Sequence, residues 1–253
     1  MRVAIPLTAM TRAWIYLVVL GGGVPAWGGP VSFSSGPSHV ALIELYTSEG
    51  CSSCPPAERW LGALRDDPRL WKEFVPVAFH VNYWDYIGWK DRFAAKLFTD
   101  RQYAIAHGWR SSQVYTPCFV RDGMEWRSRD LATHELRDAG ELVVERSADA
   151  QVTVAFNPAS TLAGNSFDAF CALLGGSVIS DVRAGENAGR KLAHEFVALR
   201  LASVPLAFER GQWRAELPLP IEQDEGIRRH ALAVWITRRG ELASVQAAGG
   251  WLD

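Results

Sequence analysis

Four cysteines in 253 residues are too few for a disulfide-dense scaffold. The chain also lacks a basic stripe: 26 lysines and arginines against 28 acidic residues leave a formal charge of −2, so the composition offers nothing to a nucleic acid. No unbroken apolar run reaches the roughly 20 residues a membrane span requires. Cys51 and Cys54 stand two residues apart, but no second cysteine or histidine pair follows at ligand spacing, which argues against a zinc knob. His134-Glu135 and His194-Glu195 lack the second histidine of a zinc-protease helix.

What is present is an ordinary globular composition, 48% hydrophobic, with length for one large domain or two modest ones. Arg2 and Arg12 precede the short apolar run Ala13 to Leu20, and Val24-Pro25-Ala26 has the small residues a signal peptidase reads. Residues 1–26 are therefore expected to be a secretory signal. That implies an exported protein, periplasmic or secreted, with no stable membrane anchor after cleavage. Outside the cytoplasm no glutathione pool keeps thiols reduced, so the close cysteine pair is read as functional.

The chain is organised around V-A-L-I-E-L-Y-T-S-E-G-C-S-S-C-P-P, residues 40–56. A branched apolar run feeds a short polar loop, two cysteines, and prolines placed where a helix has no use for their N–H groups. Ser52 or Ser53 is expected to cap that helix, Ala57, Trp60, Leu61 and Leu64 share its apolar face, and Asp66-Asp67-Pro68 ends it. A strand from Phe74 to Val81 completes a βαβ unit. Residues 27–39 read as a flexible lead-in, and residues 82–113, rich in aromatics, as a helical insertion. Those aromatics are either core or an apolar wall beside the thiols. Asp130 to Arg146 reads as a closing helix. From Gln151 onward, short alternating runs separated by turn signals suggest a small all-β sandwich over 148–253. Within it, Gly185-Glu186-Asn187-Ala188-Gly189-Arg190 is either a plain hairpin turn or a loop that meets the thiol domain.

L-Y-T-S-E-G-C-S-S-C-P-P, H-V-N-Y-W-D-Y-I-G-W-K-D and V-Y-T-P together resemble the secreted bacterial family catalogued as domain of unknown function 1223, from about Val40 to the C-terminus. The first domain, 40–147, is similar to a thioredoxin fold. The resemblance implies an α/β thioredoxin-like domain with a helical insertion followed by the β sandwich. It implies Cys51 as nucleophile, Cys54 as resolving thiol, and a cis Thr116-Pro117 bond facing them. Cys118 stands where the family commonly has a polar residue, and Asn82 where an acid is frequent.

The physical case for a reactive Cys51 is its place at a helix N-terminus, where unpaired N–H groups favour thiolate. Ser52 and Ser53 offer hydroxyls to a thiolate, whereas Glu49, if turned inward, opposes it. His80 is a candidate proton relay or metal ligand, with Asp85 or Asp91 as its partner. Cys118 is either a small buried apolar residue or a third thiol near the pair; Cys171 is expected in the core. The leading reading is an exported thiol-disulfide oxidoreductase using the Cys51-Cys54 disulfide and no other cofactor. Its partners would be a protein thiol or disulfide and a redox partner. The alternatives are a soft-metal module holding copper through Cys51, Cys54, His80 and Cys118, and a non-catalytic interaction protein.

Overall fold

The computed structural model describes residues 30–131, 137–147, 151–164, 166–218 and 226–252. The signal-peptide expectation for 1–26 lies outside them, as does His134. Among the described residues the chain forms fifteen strands, two α-helices and three short 3-10 helices. The strands of the first half are β1 (Val31–Ser34), β2 (Ala41–Thr47), β3 (Phe74–His80), β4 (Cys118–Arg121), β5 (Met124–Glu125) and β6 (Gly140–Arg146). α1 (Pro55–Ala63) follows β2, and α2 (Lys96–Gly108) follows β3. The second half supplies β7 (Val152–Pro158), β8 (Phe167–Gly176), β9 (Val178–Asp181), β10 (Lys191–His194), β11 (Val197–Pro205), β12 (Ala207–Glu209), β13 (Gln212–Leu217), β14 (Arg229–Arg238) and β15 (Ser244–Trp251).

The expected α/β thioredoxin-like domain with a helical insertion, followed by a separate small sandwich, is not what the chain builds. The molecule is predominantly β, and its largest sheet has eight strands in the order β15-β14-β8-β11-β3-β2-β4-β5, half of them from each side of residue 147. The two halves join where β11 runs parallel to β3, with Val197 opposite Ala78 and the Ala78 N–H donating to the Phe196 carbonyl at 2.8 Å. Local periodicity could not announce that join, because β3 is buried on both faces and its continuous apolar run does not name a neighbour. A second, antiparallel sheet has the order β1-β6-β7-β13-β12.

Alternation along the shared strands sorts the two cores. On β8, Ala169, Cys171 and Leu173 join β6 and β7 residues such as Leu142, Val144, Val154 and Phe156 in a core between the sheets. The intervening Ala172 and Leu174 face the opposite core, with Trp235 of β14 and with Ala57, Leu61, Phe98 and Ile105 of α1 and α2. Cys171 is core, as expected.

Three local expectations also change. The lead-in is not free chain throughout: Val31–Ser34 pairs antiparallel with β6. The closing helix over Asp130 to Arg146 is replaced at its C-terminal end by β6, where Leu142, Val144 and Arg146 alternate inward. Residues 132–136 of that expected helix lie outside the described residues, and Leu142 and Val143 fall in β6, which has partners on both sides. The α1 N-cap is Cys54 without a side-chain bond, rather than a serine.

Candidate functional site

β2 and β3 run parallel in a register that sets Thr47 beside His80, so the loops leaving both strands open on the same edge. The first of these loops carries the sulfurs. Cys51 and Cys54 form a disulfide, with Cα atoms 5.4 Å apart, immediately before α1. Pro55 and Pro56 fill the first two helical positions and carry no N–H, while the N–H groups of Ala57 and Glu58 both donate to the Cys54 carbonyl. The expected cluster of unpaired N–H groups aimed at Cys51 is therefore absent from this turn. The nearest polar aid is the Ser53 hydroxyl, 3.2 Å from Cys51 Sγ.

Facing the pair is a cis Thr116-Pro117 peptide, with the Thr116 carbonyl oxygen 3.8 Å from Cys51 Sγ. The aromatic segment fixes this loop. The Trp84 indole donates to Thr116 Oγ1 at 2.8 Å, and Gln102 Nε2 donates to the Tyr115 carbonyl at 2.8 Å. The segment's aromatics are thus divided. Phe93 and Phe98 are core, Trp84 and Trp89 are half-buried struts with polar tips, and Tyr86 is 82% exposed.

The disulfide is covered. Both cysteines have no exposed surface, whereas Ser52 and Ser53 between them are open to solvent. The backbone of the cysteine loop is held by the loop from 182 to 190, which links β9 to β10. Asn187 Nδ2 donates to the Glu49 and Cys51 carbonyls at 2.8 and 2.9 Å, and the Ser52 N–H donates to Glu186 at 3.0 Å. Arg190 holds Asn187 Oδ1 at 2.7 Å, which turns the amide nitrogen toward those carbonyls. The Gly-flanked loop is therefore both a hairpin connection and a contact with the thiol pair.

Glu49 does turn inward, but toward other partners than the sulfurs. One oxygen accepts the Trp89 indole N–H at 2.7 Å and the other lies 3.3 Å from His194 Nε2. His80 Nδ1 pairs with Asp91 at 2.7 Å, and Asp85 instead accepts the Asp91 N–H. His194 Nδ1 bonds Glu58 at 2.5 Å, and the Thr47 hydroxyl donates to the other Glu58 oxygen at 2.6 Å. Burial by itself would lower the His194 pKa; the adjacent Glu58 and Glu49 outweigh it and push it up to about 10. Burial would likewise raise the Glu58 carboxyl, but His194 holds it below its ordinary range. His80 is raised because Asp91 outweighs burial.

Cys118 is buried and free, bordered by the Phe119 carbonyl and the Tyr115 side chain, and burial pushes its thiol up to about 11. Among the described residues the side chains brought within mutual metal-ligating reach are Glu58, His80 and His194, not the soft set of Cys51, Cys54, His80 and Cys118. Sequence reasoning missed Glu58, and it set His194 aside because it sought a second histidine one helical turn away. Asn187 carried one signal, its place in a polar loop bounded by glycines.

Two solved structures are similar in fold. Protein AGR_C_4864 from Agrobacterium tumefaciens, an X-ray crystal structure, matches with a TM-score of 0.62 at 22% identity, over 85% of this chain and 96% of that one. HBP35 of Porphyromonas gingivalis matches with a TM-score of 0.59 at 11% identity, over 84% of this chain and 75% of that one. No curated protein gives a significant match. The family model described as protein of unknown function DUF1223 matches residues 42–237, most of the length, and the chain belongs to that family.

Proposed function

We propose that this protein is an exported thiol-disulfide oxidoreductase working through Cys51 and Cys54. The observation that carries the reading is the placement of the disulfide at the start of α1, with Cys51 Sγ 3.8 Å from the carbonyl of a cis Thr116-Pro117 peptide. The leader-like composition of residues 1–26 supports export.

In the reducing direction, the Cys51 thiolate attacks one sulfur of a substrate disulfide and forms a mixed disulfide, and the substrate's other sulfur leaves as thiolate. The Cys54 thiolate then attacks Cys51 Sγ. This releases the substrate as a dithiol and closes the Cys51-Cys54 disulfide, so two electrons pass to the substrate. A dithiol partner returns them by the same exchange. The oxidising direction runs these steps in reverse. A cis proline has no N–H to lose, which leaves the Thr116 backbone to pair with an extended substrate segment in the manner of an added strand. Exchange requires neighbouring chain to move aside, because both cysteines are fully buried.

A second reading has its own observation. The complete burial of both sulfurs favours a static cross-link in a non-catalytic interaction protein. Mass-spectrometric thiol trapping across graded redox potentials separates the two. Exchange predicts reversible two-electron cycling in the folded protein, catalysed insulin reduction that disappears in Cys51→Ser, and a mixed disulfide captured by Cys54→Ser. A pair that opens only when the protein unfolds, with no insulin reduction, leaves the cross-link.

A further inference from the structure

Beside the disulfide, Glu49, Glu58, His80, Asp91 and His194 are packed together, and every one is buried. They come from five separate places in the chain. Glu49 leaves β2, Glu58 sits in α1, His80 and His194 end β3 and β10, and Asp91 lies in the segment before α2. One ligating atom from each of Glu58, His80 and His194 lies within 4.8 Å of the other two. The second polar atom of most of these groups is already held from outside. His80 Nδ1 is paired with Asp91, one Glu58 oxygen accepts Thr47, and one Glu49 oxygen accepts Trp89. On the far side of its ring from Asp91, His80 Nε2 is buried with no hydrogen-bond partner, whereas Glu49 Oε1 faces His194 Nε2 at 3.3 Å.

We propose that Glu58, His80 and His194 hold a divalent first-row transition cation, zinc foremost. Imidazole and carboxylate are the donors that suit such an ion, and three protein ligands with a fourth position left for water are a set that zinc commonly takes. Asp91 behind His80 is the carboxylate that commonly orients a metal-bound imidazole and fixes its tautomer. Glu49, Glu58 and Asp91 also bring three formal negative charges into one buried space, more than two protonated histidines would balance. Zinc bonds of about 2.0–2.1 Å place tetrahedral ligand atoms about 3.4 Å apart, so His194 Nδ1 and Glu58, now 2.5 Å apart, move apart while the wider separations close. The ion takes the place of the hydrogen bond between His194 Nδ1 and Glu58. No donor is a cysteine, so this site stands or falls independently of the exchange chemistry.

The test uses the full chain, purified without chelator, for metal content by mass spectrometry. The same protein is then unfolded with EDTA, freed of chelator, and refolded with Zn2+, with Co2+ or with neither. The expected results are about one equivalent of bound cation, visible Co2+ d–d bands of tetrahedral intensity, and a higher Tm with Zn2+ than without. His80→Gln should abolish the Co2+ bands, and Glu58→Gln should weaken them; if either fails to fold, the wild-type refolding series decides alone. The double variant Cys51→Ser, Cys54→Ser should keep the bands unchanged. Metal below about a tenth of an equivalent in every preparation, with no Co2+ bands and a Tm indifferent to Zn2+, overturns the site. So does a sulfur-to-cobalt charge-transfer band that vanishes in the cysteine variant, since it would move the ion to the thiols.

Discussion

Asn187 spends both hydrogens of its amide on backbone carbonyls of the loop that carries the disulfide, and Arg190 occupies its oxygen. Replacing it with alanine leaves those carbonyls, one of them on Cys51, without their donor. Asn187→Ala should cost about 1–3 kcal/mol of stability by urea unfolding. It should also speed reduction of the disulfide by dithiothreitol in the folded protein; an unchanged rate would show that the loop does not guard the sulfurs. Cys118 is at the opposite extreme. With its thiol near 11, burial keeps the thiolate fraction at pH 8 to about one in a thousand. Alkylation of native Cys51→Ser, Cys54→Ser protein, followed by peptide mass spectrometry, should therefore leave Cys118 unlabelled at pH 8 and label it progressively as the pH climbs toward 11.

At the scale of elements, α2 is pinned to the sheet by one buried ion pair, Arg101 with Glu44 of β2 at 2.6 Å. The guanidinium lies 5.0 Å from the Trp235 ring centre and 5.2 Å from that of Phe170, so the same cation also touches strands of the second half. Arg101→Ala strands the Glu44 carboxylate in the core and should cost about 3–5 kcal/mol. Arg101→Ala combined with Glu44→Ala should recover part of that loss in a double-mutant cycle. Elements of this kind were legible in the sequence where the signal was short-range. The run from Val40 to Pro56 announced strand, cysteine pair and helix through contacts a few residues apart, and the resemblance supplied the cis Thr116-Pro117 peptide. His80 with Asp91, 11 residues away, was within reach of the same reasoning. Glu58 and His194 are 136 residues apart, and nothing in the pattern around either one refers to the other. The β6 segment failed differently: its leucines and valines satisfied a helical period, and only the neighbours β1 and β7 impose the alternating one.

Across the whole molecule, the sheet that joins β3 to β11 makes the two halves parts of one cooperative unit. Equilibrium unfolding by urea should show a single transition, coincident for tryptophan fluorescence and far-ultraviolet circular dichroism. Chains 30–147 and 151–253 expressed separately should each fail to give a folded spectrum, since each exposes a long apolar strand edge, and mixing should restore it in part. Two independent transitions, or a folded 30–147 fragment, would return the architecture to separate domains. The second half of the sequence reads as strand-rich, yet two of its strands, β7 and β11, pair with β6 and β3 of the first half, and strand periodicity carries no address for a partner.

Glu186 and Asn187 reach Ser52 and Cys51 across 134 and 136 residues of chain. At about 5–20 residues per second, a ribosome needs on the order of 10 seconds to make that stretch. The two sulfurs are therefore synthesised well before the residues that will clasp their loop.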